Sequence, residues 1–500
     1  TDHWYEFLYD GTTGAEMLPD RIALHFVDGE RGDSDLTADG VITDPGAPAV
    51  DPTLCHVLTL SKSGQGHLPV AEPLYSVGCD EGTYVQGETI DLSGALPDDG
   101  WHVSNWAGTS FDEAVFASNI VVMPAGDHVA QVNYEATNIG PMVFQASVHS
   151  DGSGSLDRAE SPSISADGRF IAFHSWASNL VDDDDNNHPD VFVHDRMTGM
   201  TTMVSVNPQG HAGVDDSWVP ALSADGRYVA FQSNASDLDA ERFCGHDIFL
   251  RDMLTQVTTC ISRGLYDQRS DSASYLPDIS DDGNVVVFES EATNLVENDI
   301  NGIRDVFAYN RITGELKLVT VDNDGNQANY YLPYAGVLNA VSGNGRYVAF
   351  VSAASNLVLG DTNECQLGSH DLGPCPDVFV HDLSTGKTER VSIHQNGTQG
   401  NGASVGRPAI SYDGSLVAFT SFADNLVDGL TQEEGTSRIF LHDTTSGETT
   451  HASLVPEELS GRDANNPSIS AGGERIVFDH SHKVWLYDRV LNRTSVVSIR

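Results

Sequence analysis

The chain has 500 residues, 73 of them Asp or Glu and only 25 Lys or Arg, which leaves a formal charge of -48 at neutral pH. Phosphate binding needs the opposite sign, so nucleic acid is excluded as a partner class. With 39% hydrophobic residues the chain can build packed cores, its length calls for more than one domain, and no apolar run is long enough to span a bilayer.

Residues 1–52 read as a small Asp-rich β domain. YEFLYDGTTGAEMLPDRIALHFVDGERGDSDLTADGVITDPG, from Tyr5, offers two short strands and then Asp28, Asp33, Asp35, Asp39 and Asp44. That spacing suits a calcium loop, although the sixth-position Gly and twelfth-position Glu of an EF-hand are missing. The stretch resembles a small domain found near anchoring signals in secreted bacterial proteins, with the motif DGxRGDxDLTxDGxIxDPG, and the expectation is one bound calcium. RGD at 31–33 reads as a chance tripeptide inside that loop.

Residues 53–138 carry LTLSKSGQG, GCDEGTYVQGETIDLSGALPDDGWHVSNWAG and NIVVMPAGDHVAQVNYE. They resemble the bacterial repeat domain of internalin-type surface proteins. The resemblance implies a compact β module used as a spacer or adhesion element, with Trp106 in its core.

Residues 139–500 are an internal repeat. PSISADGRFIAF at 162 recurs as PALSADGRYVAF at 220, PDISDDGNVVVF at 277, NAVSGNGRYVAF at 339, PAISYDGSLVAF at 408 and PSISAGGERIVF at 467. Each copy continues with two more strand-like stretches, such as DVFVHD and TTMVSV, and the Asp-Gly and Thr-Gly joints between strands suit tight hairpins. Four antiparallel strands per copy and six copies predict an all-β chain: a six-bladed β-propeller behind two small N-terminal β modules. The repeat resembles the TolB-like propeller family, whose relatives include periplasmic interaction scaffolds and the propeller halves of some serine peptidases. The peptidase branch would need a following α/β-hydrolase domain.

The loop after the VAF strand aligns without gaps between the first and third copies. Four, six and ten residues past Leu180 and Leu295 stand Asp184, Asn186 and Asp190 in one, and Asp299, Asn301 and Asp305 in the other. The fourth copy has Asp361 and Asn363, then an insertion bounded by cysteines before Asp377. Oxygen ligands on alternate residues, closed by a carboxylate at the base of the next strand, are what calcium requires. The second and fifth copies place Arg242 with Cys244 and Leu430 with Gln432 at the first two positions, so no site is expected there.

The six cysteines fall into neighbouring couples, Cys55 with Cys79, Cys244 with Cys260, and Cys365 with Cys375, with no CxxC. Sequence leaves connectivity open, but this pattern suits three local disulfides and a compartment outside the cytoplasm. One feature is surplus: VFQASVHSDG at 143 resembles TERVSIHQNG at 388, and TSVVSIR at 494 does too, giving seven matches to six outer strands. Either residues 143–149 add a fifth strand to the last blade, or one terminal strand is free to pair with another molecule.

The histidines at strand ends, His194, His381 and His442, read as structural repeat positions, and Arg169, Arg227 and Arg346 as partners of the Asp in their own hairpin turns. With no metalloprotease, P-loop or dinucleotide motif, the expectation is a non-enzymatic, secreted structural or adhesive protein. It would be extracellular or on a cell surface, stabilised by calcium, assembling as a homo-oligomer or filament, with cell-surface or glycan contacts. A monomeric module that recognises carbohydrate or protein through the propeller face is the alternative, and a polysaccharide-acting enzyme the third reading.

Overall fold

A computed structural model describes residues 14–17, 22–25, 55–98, 100–136, 145–240, 244–330, 339–367, 371–429, 436–453, 463–481 and 483–497. The chain divides into two compact units, residues 1–138 and 139–500. Among the described residues there is no α-helix, and none is therefore long and apolar enough to cross a membrane.

In the first unit, Gly14–Met17 pairs antiparallel with Ile22–His25. Asp28, Asp33, Asp35, Asp39 and Asp44 lie outside the described residues. The following module is built around Cys55–Ser63, which runs parallel to His128–Ala136 at the centre of a four-stranded sheet edged by Thr83–Val85 and Trp101–Ala107. Val70–Glu72, Thr89–Ser93 and Asn119–Val122 form a second, three-stranded sheet. Alternate residues of both sheets, Ile90, Leu92, Val121, Ala130 and Val132, point into one core. Trp106 is 1% exposed at its centre and donates its indole N–H to Phe116 O at 3.0 Å, so it is a core residue. Cys55 and Cys79 are joined.

The second unit consists of six antiparallel four-stranded sheets in succession, at 159–203, 217–260, 274–318, 339–390, 404–451 and 464–496, called blades 1 to 6 from here. In each, the strands lie side by side in chain order, with tight turns joining the first to the second and the third to the fourth strand. The third strands of blades 1 and 4, Asp190–Asp195 and Asp377–Asp382, are buried throughout. The phenylalanines of the VAF and DVF stretches face each other across the two middle strands. Phe173 and Phe192 stack at 5.9 Å, and the pairs Phe231–Phe249, Phe288–Phe307, Phe350–Phe379 and Phe419–Phe440 repeat the arrangement. Such pairs add about 0.5–1.5 kcal/mol each beyond their buried area.

The Ser-x-Asp-Gly signature is a self-contained turn. In blade 1, Ser165 Oγ donates to Asp167 Oδ1 at 2.6 Å and accepts from Phe170 N at 2.9 Å, while Asp167 Oδ1 also accepts from Arg169 N. Blades 2 to 5 repeat the serine's two bonds at Ser223, Ser280, Ser342 and Ser411. The turns also tie the blades together. Ala166 N donates to Ala224 O, Ala224 N to Asp281 O, Asp281 N to Gly343 O, Asn344 N to Tyr412 O, and Tyr412 N to Ala471 O, at 2.8–3.0 Å.

Two expectations are refined by the geometry. The guanidiniums of Arg169, Arg227 and Arg346 reach beyond their own turns. They form two-pronged pairs with Asp195, Asp252 and Asp382 at the far end of the third strand, with closest contacts of 2.7–2.8 Å. The strand-end carboxylate lies opposite the residue that follows the arginine, Phe170 against Asp195 in blade 1, within reach of a two-pronged pair.

The seventh match is not an outer strand where it is described. Residues 145–155 form a turn closed by the bridge Val148 to Gly154, as residues after the outer strands of blades 1, 3 and 4 do through Val206 to Ala212, Val321 to Gln327 and Ile393 to Gln399. Each such turn is a clasp on the next blade. Asn179 grips residues 154–156 as Asn356 grips 327–329 and Asn425 grips 399–401. A buried Thr completes it. Thr201 Oγ1 donates to Val148 O, Thr388 Oγ1 to Val321 O and Thr449 Oγ1 to Ile393 O, each at 2.5 Å. That hydroxyl has one proton to give, so the ring nitrogen Nδ1 of His194, His381 or His442, at 2.9–3.0 Å, must be the donor to it. Blade 1 thus carries a clasp for which the described chain holds no preceding blade, and blade 6 has its own four strands.

Candidate metal centres in the blade loops

The third strand of blades 1 to 4 opens on an aspartate fully removed from solvent: Asp190, Asp247, Asp305 and Asp377 are 0–1% exposed. A hydroxyl from the second residue after the outer strand holds one oxygen of each, donated by Ser205, Ser262, Thr320 and Ser392 respectively. What meets the other oxygen differs from blade to blade, and this decides which loops can take a cation.

In blade 3, no donor meets Asp305 Oδ2 with full hydrogen-bond geometry, the Asn301 amide acting on that carboxylate from nearby, and Oδ1 of Asp299, which is 8% exposed, has no partner. Burial pushes Asp305 up to about 7, the Asp299 charge adds to the rise, and burial raises Asp299 as well. Two carboxylates raised by burial, one of them also by the charge of the other, that leave buried acceptors unsatisfied form an incomplete electrostatic arrangement. A divalent cation completes it. Asn301 is held in place beside them by its amide bond to Ala328 O.

Blade 1 is similar. Asp184 Oδ1 is buried without a partner, and burial pushes Asp184 up to about 6 and Asp190 up to about 7. Here Asn186 donates to Asp190 Oδ2 and to Gly213 O, both at 2.8 Å, and its Oδ1 accepts from His188 N.

Blade 4 brings the three predicted residues together but fills the site from within. Arg390 Nη1 lies 2.8 Å from Asp361 Oδ1 and 3.4 Å from Asp377 Oδ2, with Gln399 Oε1 at 3.2 Å. A guanidinium stands where a metal would, so the expectation of calcium at Asp361, Asn363 and Asp377 conflicts with this geometry. The cation comes from the outer strand, 29 residues beyond Asp361, which loop spacing could not reveal. The insertion is a β-hairpin, Glu364–Leu367 with Asp371–Pro374, closed by Cys365 to Cys375.

In blade 2 every oxygen of Asp247 is used, by Gly245 N, Ser262 and Ser270, and Cys244 is bonded to Cys260 beside it. Blades 5 and 6 begin the same strand with Arg438 and Lys483. Arg242, Leu430 and Gln432 lie outside the described residues. Another acidic group, His188 with Asp215 and Asp216, lies at the surface, its ring nitrogen 2.6 Å from Asp216.

A G-x-S-x-G spacing does occur, at 402–406, but it is no nucleophile elbow. Ser404 is 1% exposed on the innermost strand of blade 5, with its Oγ donated to Ser421 Oγ at 3.1 Å.

Fold and sites define a chain of β-propeller type preceded by a small repeat module. Residues 75–138 match the model of the divergent InlB B-repeat domain, and no curated protein matches the chain. Solved structures similar to it include an oligogalacturonate lyase in complex with manganese (13% identity, 67% of this chain and 74% of that one, TM-score 0.43). Another is the oligogalacturonate lyase of Vibrio parahaemolyticus (12%, 68% and 78%, TM-score 0.42). A TolB-type protein from Agrobacterium tumefaciens is also similar (14%, 59% and 80%, TM-score 0.33).

Proposed function

We propose that this is a secreted structural protein of a cell or extracellular surface, held rigid by calcium in blades 1 and 3 and able to assemble with copies of itself. The observation that carries the calcium reading is the pair of buried carboxylate oxygens on Asp299 and Asp305 that no donor meets with full hydrogen-bond geometry. The InlB-type module at 75–138 and the three disulfides favour an extracellular setting. The arginines nearest the turns are committed to carboxylates, which favours a scaffold over a site for an anionic substrate.

Calorimetric titration of calcium into chelator-stripped protein tests the reading. Binding at blades 1 and 3, with stabilisation of ~2.7 kcal/mol per site at a hundredfold excess over Kd, is the expected result. Absence of binding heat together with an unchanged melting temperature overturns it.

A further inference from the structure

Consecutive blades meet in one way. The turn glycine of a blade sits on a residue at the start of the second strand of the blade before it, and at four junctions of five that residue is large. A Cβ added to Gly226, Gly283, Gly414 or Gly473 would fall 2.1–2.3 Å from Phe170, Tyr228, Tyr347 or Leu416. Between blades 3 and 4 the residue under Gly345 is the smaller Val285, and the distance opens to 2.9 Å. Blade 3 also lacks the ion pair of its neighbours. Asn284 stands where Arg169, Arg227 and Arg346 stand in blades 1, 2 and 4, and Asn310 where Asp195, Asp252 and Asp382 stand. The guanidinium that follows Asn310, on Arg311, bonds Asn284 Oδ1 at 2.7 Å and lies over the Tyr228 ring of blade 2.

The missing bulk leaves a groove of about 430 Å³ between the turns of blades 3 and 4, at the end of the strands opposite the loop of Asp299 and Asp305. That volume lies in the ~300–1,000 Å³ range of small-molecule sites. Val285, Ala308 and Leu383 give the groove an apolar side. Asn310 and Asn344 line it with amides whose orientation is fixed by the backbone. Asn310 Oδ1 accepts from Ile312 N and Thr313 N, and Asn344 Oδ1 from Arg346 N. The Nδ2 group is therefore the other arm of each amide, and among the described residues it has no hydrogen-bond partner. Asn344 is itself a departure, since the equivalent turn residues of blades 1, 2, 3 and 5 are Asp167, Asp225, Asp282 and Asp413. Lys317 and Glu315, 3.9 Å apart, stand at the rim, and Arg346 is committed to Asp382.

We infer that this groove binds a neutral saccharide, one that lays the C–H face of a sugar ring on the apolar side and its hydroxyls on the amides and the rim. A hydroxyl both donates and accepts, so the Nδ2 groups of Asn310 and Asn344 serve as donors to it and Glu315 as an acceptor from it. The charges favour a neutral ligand. Each cation at the groove has a carboxylate beside it, Lys317 with Glu315 and Arg346 with Asp382, which leaves no uncompensated positive charge for an acidic sugar. The amides at 310 and 344 have replaced carboxylates of the repeat, which removes the attraction for an amine or a metal ion. Four departures from the repeat, at 284, 285, 310 and 344, fall on one junction, and each removes bulk or charge from it. The inference goes beyond the structural reading above and does not depend on calcium, because the groove shares no residue with the acidic loops.

The test is saturation-transfer NMR of the full chain with neutral di- and trisaccharides of glucose, galactose, mannose and xylose, with uronate oligomers and dipeptides as contrasts, followed by calorimetry of each sugar that responds. At least one neutral sugar is expected to bind wild type, in calcium and in chelator alike. Val285→Tyr restores the ring that Tyr228 and Tyr347 supply at the neighbouring junctions, and it should abolish binding while leaving circular dichroism unchanged. Asn310→Asp keeps the acceptor for Ile312 N and Thr313 N but removes the amide donor, and it should weaken binding ~10-fold, the ordinary effect of one lost hydrogen bond. Should Val285→Tyr fail to fold, Asn310→Asp decides alone. Silence from every neutral sugar overturns the inference, and so does a response confined to the uronates or the dipeptides. Binding undiminished in the folded variants also overturns it, by placing the sugar elsewhere. Calcium titration of the same samples is read separately, so either reading can fail without the other.

Discussion

Arg390 Nη1 stands 2.8 Å from Asp361 Oδ1 in blade 4, occupying with its own charge the place that a cation would take. Both partners are nearly shielded from water, with side chains 9% and 5% exposed. Removing the guanidinium leaves two buried carboxylates unopposed, which costs about 3–5 kcal/mol in the absence of metal. Arg390→Ala is therefore expected to lower the melting temperature in chelator, to recover much of the loss in calcium, and to bind one more calcium than wild type. Unchanged stoichiometry by calorimetry would refute the vacated site.

Asp305→Asn gives a crossing of signs in blade 3. No donor meets Oδ2 of the buried carboxylate with full hydrogen-bond geometry, so neutralising it relieves a desolvation penalty when no metal is bound. Calcium would lose a charged ligand at the same time. The variant should melt higher than wild type in chelator and lower in calcium, with one calcium fewer bound. Equal shifts in both buffers would show that Asp305 is structural only.

The histidines of the clasps make stability depend on pH. Burial pushes His381 and His442 down to about 4, and both donate from Nδ1 to a threonine. The unfolded chain takes up these protons near pH 6.5, the folded chain only near 4. Their contribution is therefore complete above 6.5 and is lost as pH falls from 6.5 towards 4, by up to ~3 kcal/mol for each histidine. Replacing both by Asn, which keeps an N–H donor but cannot be charged, should flatten the fall in denaturation midpoint between pH 7 and 5. A fall as steep as in wild type would assign the pH dependence to other groups.

Gly226 and Gly199 separate conformational cost from crowding. Both have φ in the left-handed region, +78° and +74°, but a Cβ on Gly226 would lie 2.3 Å from the Phe170 ring, whereas Gly199 faces open space. Gly199→Ala should cost about 1 kcal/mol, and Gly226→Ala about 1–3 kcal/mol more because the blade 1 to blade 2 junction must move. Similar denaturation midpoints for the two would show that this junction yields freely.

The sequence by itself determined what is local and periodic. Six copies of a serine turn, Ser-x-Asp-Gly in four of them, with alternating strands marked the blades and their order, because the turn is held by bonds between residues two to five apart, such as Ser165 to Asp167 and to Phe170. The cysteine couples were legible for the same reason, being only 10–24 residues apart. The left-handed residues in the first strands were not. Gly406 is suited to that conformation, but Ser161, Val219, Leu276 and Asn466 hold it too, at φ +49° to +53°, imposed by a bulge against the second strand. Only the tertiary structure decided which acidic loops retain an unsatisfied oxygen. The first two loop positions are alike in blades 1, 3 and 4, but the fate of the carboxylates is set by side chains arriving from elsewhere, such as Arg390 from the outer strand of blade 4. The degree of burial at equivalent repeat positions was hidden for the same physical reason. Ile164 and Leu222 occupy equivalent positions in the repeat, yet one is 58% and the other 8% exposed, because burial is a property of what packs against a residue and not of the residue.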